Sequence, residues 1–141
     1  MTRMLSGLIA ALAMVVVSGC SGNPLVGSWV NSFNSGPTTI TDTLNLNGDG
    51  SRSEILTFGG DCTGTQTYTG LTWASGGFSI LLEGTGTCSG TMTCSDGHSY
   101  TCEPTTKGSL MGNCNYALSD DHNMLTISDC TGGAGSTFTR K

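Results

Sequence analysis

The stretch YTGLTWASGGFSILL, Tyr68 to Leu82, decides the fold: Leu71 and Trp73 on one side of a Gly-Gly pair answer Phe78, Ile80 and Leu82 on the other. Residues two apart share a face of a strand, so this period of two reads as a hairpin and not as a helix. A loop of Ala74 to Gly77 sets Trp73 opposite Phe78 and Leu71 opposite Ile80, which collects all four on one apolar face. The same reasoning applies to NYALSDDHNMLTIS, residues 115–128. There a loop of Asp120 to Asn123 sets Leu118 opposite Leu125 and Tyr116 opposite Ile127.

Outward from these hairpins the same grammar repeats. Short alternating runs separated by Gly, Asn and Asp predict about eight to ten strands, near residues 25–33, 38–47, 51–58, 62–74, 77–83, 86–94, 98–103, 110–118, 123–130 and 135–140, with no helical period after residue 20. The expected class is all-β, an antiparallel up-and-down meander. CTGTQTY at 62 and CSGTMTC at 88 echo each other, as hairpins laid down in regular series would; bias toward Thr and Gly explains the echo equally well.

The N-terminus is of another kind. An apolar run from Met4 to Val17 follows Arg3 and ends in small residues; it is shorter than the roughly 20 residues that span hydrocarbon, and it has the layout of a secretory signal. Its end, Val17-Ser18-Gly19-Cys20, resembles the lipobox of bacterial lipoproteins. The resemblance implies cleavage after residue 19, acylation of Cys20 by chains such as palmitate, and a short tether over 20–24 ahead of a domain at 25–141. The membrane is then a partner through Cys20. Ser21, where an Asp would retain the protein, resembles the Gram-negative pattern of export to the outer membrane.

With Cys20 acylated, six cysteines remain: Cys62, Cys88, Cys94, Cys102, Cys114 and Cys130. In an oxidising compartment they predict three disulfides, and fifteen connectivities are open. The local set is the expectation, Cys62 with Cys88, Cys94 with Cys102 and Cys114 with Cys130, although the hairpin register puts Cys114 and Cys130 on opposite faces unless a bulge intervenes. No Cys-x-x-Cys spacing marks a metal site, and no cofactor is expected.

Loss of the leader leaves four basic against ten acidic residues, a formal charge of −6, with the basic ones scattered. Nucleic acid is therefore excluded as a partner class. Asn45, Asn47, Asp49 and Gly50 have the opening spacing of a calcium loop, but Leu56 stands where the bidentate Glu belongs, so the stretch reads as a turn. Asp96 with His98, and Asp120 and Asp121 with His122, sit at predicted hairpin tips; without a nucleophile elbow or phosphate loop they predict no enzyme. Thr63, Thr65, Thr67 and Thr69 line one strand face, a hydroxyl array that suits a polymer or ice and equally suits β-propensity on a solvated strand.

LVGSWV near the mature start and STFTRK at the end together resemble the calycins, small bacterial lipocalin-like domains in particular. That likeness implies that Gly27, Trp29 and Arg140 close a barrel, with the Arg over the indole as a cation–π pair. It also implies an interior facing a ligand, for which Leu71, Trp73, Phe78, Ile80, Leu82, Tyr116, Leu118, Leu125 and Ile127 are the candidate lining. The expected function is a lipid-anchored protein of the bacterial envelope that binds a small hydrophobic ligand in a lipocalin-like barrel. The alternative is an anchored protein-interaction or protease-inhibitor-like module without a ligand cavity.

Overall fold

The computed structural model describes residues 22–103, 105–106, 111–131 and 135–141; the leader, Cys20 and the start of the tether lie outside the described residues. Alternation of small β-branched and polar residues with apolar ones yields β1 (Gly27–Ser35), β2 (Thr38–Leu46), β3 (Ser51–Gly60), β4 (Cys62–Gly76), β5 (Ser79–Glu83), β6 (Gly86–Cys94), β7 (Ser99–Thr101), β8 (Thr105–Thr106), β9 (Gly112–Leu118), β10 (Met124–Ser128) and β11 (Ser136–Arg140). Eight of them, β1 to β5 and β9 to β11, pair antiparallel in chain order, and β11 returns to β1. This is a closed up-and-down barrel, the predicted class. Closure removes sheet edges.

Closure is confined to half of the molecule. β5 and β6 follow one another along the same edge of the long β4, with β5 on Thr72–Gly76 and β6 on Cys62–Thr69. At Gly84 and Thr85 they part: β5 passes to β9 and completes the barrel, whereas β6 passes to β7 and β8 as an arm. On the far side β11 pairs with β1 only at Trp29 and Val30. A closed half therefore opens into a sheet of β1, β2, β3, β4, β6 and β7.

The closed half holds the core. Leu25, Trp29, Leu44, Leu46, Trp73, Ile80, Leu82, Cys114, Leu125, Ile127 and Phe138 are buried together, with Tyr116 and Leu118 packed against them. Burying an aliphatic or aromatic side chain of this size stabilises by about 1.5–3 kcal/mol. Both indoles, being buried, satisfy their N–H: Trp29 Nε1 donates to Leu25 O at 2.8 Å and Trp73 Nε1 to Asn47 O at 2.9 Å.

The second hairpin has the predicted register, Leu118 with Leu125 and Tyr116 with Ile127. The first does not. Its turn is the two-residue Gly77-Phe78, with Gly77 at φ 60°, as a type II′ turn requires at its first central position. Trp73 consequently faces Leu82, Ser75 faces Ile80, and Phe78 projects into solvent, 85% exposed. The shift is four residues in total, an even number, so Leu71, Trp73, Ile80 and Leu82 keep their common buried face.

Three disulfides are present, Cys62–Cys94, Cys88–Cys102 and Cys114–Cys130. The first two correct the local pairing. β6 returns along β4 and places Cys94 directly opposite Cys62, leaving Cys88 to reach Cys102 just beyond β7. The third joins cysteines of opposite strand parity because β10 ends at Ser128 and Asp129 adopts φ 52°, which redirects Cys130 toward Cys114.

On the outer face of the open sheet one register row reads Ser32, Thr41, Thr57, Thr65, Thr91 and Thr101 across six strands. The rows beside it hold Ser, Thr and Asn with Val30, Ile55 and Gly59, and no described residue of β1, β2, β3, β4, β6 or β7 in these rows is charged. Hydroxyls bridge neighbouring strands, as between Ser32 and Thr41 at 2.9 Å and between Thr93 and Ser99 at 3.0 Å.

Candidate functional site: an apolar stripe at the open mouth

The inner face of the open sheet differs from its outer one by a single residue of register. The corresponding row is Phe33, Ile40, Phe58, Gly64, Met92 and Tyr100, one residue from each of the six strands. Phe33 and Tyr100, at its ends, are 48% and 51% exposed, and Ile40, Phe58 and Met92 between them are half-buried. Glycine at the centre leaves the row open. With Ser35, Thr38 and the Cys62 side of the first disulfide, Ile40, Phe58 and Met92 line a cleft of about 230 Å³.

Three turns hold this mouth. Asp61 N donates to Pro37 O at 3.3 Å, Ser95 N to Asp61 O at 2.9 Å, and the Ser95 hydroxyl to the Asp61 carboxylate. Gly60 makes the approach possible: at φ 92°, a Cβ there would lie 2.5 Å from Pro37 O. Cys62–Cys94 staples the same corner. The rim carries Asp61 and Asp96, with no Lys or Arg on these three turns.

Beneath the stripe lies a polar layer. Asp42, Arg52 and Glu54 are buried, and the Tyr68 hydroxyl donates to Gln66 Oε1 at 3.2 Å while Gln66 Nε2 donates to Tyr100 O at 3.3 Å. Burial pushes the Arg52 guanidinium below its ordinary range, partly offset by Glu54 and Asp42; burial, then the same two carboxylates, push the Tyr68 phenol up. This layer separates the mouth from the core.

The closed end carries Trp29, with the Arg140 guanidinium 4.2 Å from its ring centre. Arg140 also donates through Nε to His122 O at 2.8 Å, through Nη1 to Val26 O at 3.1 Å, and through Nη2 to Pro24 O. Gly27 leaves room for it, since a Cβ there would lie 2.7 Å from Nη1.

No protein-family model, curated protein or solved structure matches the chain. Of the nine candidate lining residues, Trp73, Ile80, Leu82, Leu125 and Ile127 are buried in the core of the closed half with Tyr116 and Leu118 against them, Leu71 is buried outside that cluster, opposite Arg52, and Phe78 is on the outside. Leu82 also borders an open cleft of about 320 Å³ at the parting of β5 and β6, with Glu83, Gly84, Thr85, Met111 and Gly112. The Asp-His pairs stay at turn tips, where His98 Nδ1 lies 3.1 Å from Asp96 Oδ2 in solvent, and Asp121 accepts from Ser119 and Asn123. Asp49 likewise accepts the Ser51 amide and hydroxyl, which holds its carboxyl low and closes the turn read from NLNGDGS.

Sequence reasoning missed the stripe. Its signal was one apolar residue placed a few positions from each mouth turn: Phe33 and Ile40 around Gly36-Pro37, Phe58 before Gly59-Gly60, Met92 and Tyr100 around Asp96-Gly97.

Proposed function

We propose that this chain is a lipid-anchored interaction module of the bacterial envelope, with a packed barrel as scaffold and the open mouth as the binding surface. One observation carries the reading: the apolar interior of the closed half is taken up by its own side chains, and of the exposed large apolar side chains Phe33 and Tyr100 are ends of one continuous row, whereas Phe78 and Met124 stand apart from it. Apolar surface grouped in this way on an acidic, hydroxyl-rich molecule marks a contact site. The cleft within it, about 230 Å³, falls below the roughly 300–1,000 Å³ of pockets that enclose a ligand, and it matches one inserted side chain. A carrier of small hydrophobic molecules is the second reading, favoured by the open cleft of about 320 Å³ beside Leu82.

Two measurements decide between them. A photo-reactive phenylalanine at Met92, in cells, should give a discrete protein adduct, whereas one at Thr57 on the opposite face should give none. The purified domain should show no saturable binding of palmitate and no change in Trp73 emission in a Trp29→Phe background. Stoichiometric palmitate binding that perturbs Trp73 overturns the module in favour of the carrier.

A further inference from the structure

We propose that the free edge of β1, Asn31 to Ser35, takes up an extended segment of a partner protein as an added strand, so that the apolar stripe continues onto the partner. The inference rests on the interaction-module reading and specifies the partner's chemistry. β1 is paired along its whole length to β2, but β11 leaves it after Val30, and among the described residues no other backbone pairing is recorded for Asn31 to Ser35 on that side. Lys141 N donates to Ser28 O, so Ser28 faces the β11 side. Alternation then directs the N–H and C=O of Ser32 and Asn34 to the same open side, while Asn31, Phe33 and Ser35 turn theirs to β2.

Exposed edges are normally blunted by Lys, Pro, bulges or inward charges. NSFNS contains no charge and no proline, and its pairing with β2 is unbroken from Gly27 to Ser35. An added strand gains main-chain hydrogen bonds at Ser32 and Asn34, and specificity from alternate side chains set beside Phe33. Its chemistry follows from the surroundings: a large apolar residue opposite Phe33, and neutral or basic flanks, because Asp61 and Asp96 stand at the rim and the mature chain is acidic.

The test uses the soluble domain and a synthetic nine-residue probe, acetyl-Lys-Thr-Val-Thr-Phe-Thr-Val-Thr-Lys-amide. Added probe should slow amide hydrogen exchange at Ser32 and Asn34 by at least about tenfold, and leave Asn31 and Phe33 unchanged. Asn34→Pro removes an edge-facing N–H without touching the β2 ladder, so it should abolish this protection while the thermal midpoint stays within a few degrees. No protection at millimolar probe, or equal protection in Asn34→Pro, overturns the proposal whatever Met92 crosslinking shows. Protection at the edge without any Met92 adduct would sustain strand addition and overturn the stripe as the native contact. Protection already present without probe overturns it too, in favour of the chain's own cover if independent of concentration, and of a second copy if it rises with a dimer in sedimentation.

Discussion

Arg140→Ala is the sharpest perturbation of the closed end. The wild-type guanidinium lies over Trp29 and donates to the carbonyls of Pro24, Val26 and His122, so it joins the start of the domain, the β9–β10 turn and the last strand. A partly desolvated cation–π contact contributes about 0.5–2 kcal/mol. The bond to Val26, partly buried, contributes about 1.5 kcal/mol, and the two exposed ones about 0.5 kcal/mol each. The expected loss is roughly 3–4.5 kcal/mol, a fall in thermal midpoint on the order of 10–20 °C for a domain of this size. Urea unfolding followed by Trp emission measures it, with the slope m unchanged. Arg140→Lys keeps the charge but not the planar fork, and should lose more than half as much. Because a Cβ at Gly27 would sit 2.7 Å from Nη1, Gly27→Ala should displace the guanidinium, and its cost should shrink in the Arg140→Ala background. A loss below about 0.5 kcal/mol for Arg140→Ala, or strict additivity with Gly27→Ala, would refute the closure argument.

Removing Cys62–Cys94, which spans 32 residues, should cost about 4 kcal/mol, and removing Cys88–Cys102 or Cys114–Cys130, spanning 14 and 16, about 3 kcal/mol each by loop entropy; non-reducing peptide maps and urea midpoints of the double-Ala variants check both pairing and magnitude. Tyr68, whose phenol is raised above its unfolded value of about 10, lends stability that is complete below that pH and is lost as pH rises through the higher folded value. Tyr68→Phe should flatten the alkaline fall in urea midpoint, and identical profiles would remove Tyr68 from the account. The proposed acylation predicts that Cys20→Ala releases the protein from membranes and ends fatty-acid labelling, and unchanged labelling would sink it.

The sequence carried the strands because their alternation is local, and the even cysteine count because it needs only the compartment. Faces survived better than partners. Trp73 and Ile80 are inward in either hairpin register, since the two differ by an even shift, but only the tight Gly77-Phe78 turn decides that Trp73 meets Leu82 and Phe78 meets solvent. Disulfide partners failed where the return path was not local: nothing near Cys62 states that β6 comes back beside it. The stripe was hidden for the same reason, because Phe33 and Tyr100 become ends of one row only after six strands are laid in register.

The neutral outer wall has a consequence for crowding. Most charge on the described chain is held at the turns, at the C-terminus or inside; Glu83 and Arg140 stand at the ends of β5 and β11, and Glu103 between β7 and β8. The protein is thus electrically a neutral waist between charged poles. Two copies, or a copy and any neighbour, meet end to end under Coulomb forces that salt screens over about 8–10 Å. Across the open-sheet wall they meet through hydroxyl and methyl groups, with little repulsion to keep them apart at low ionic strength and little for added salt to change.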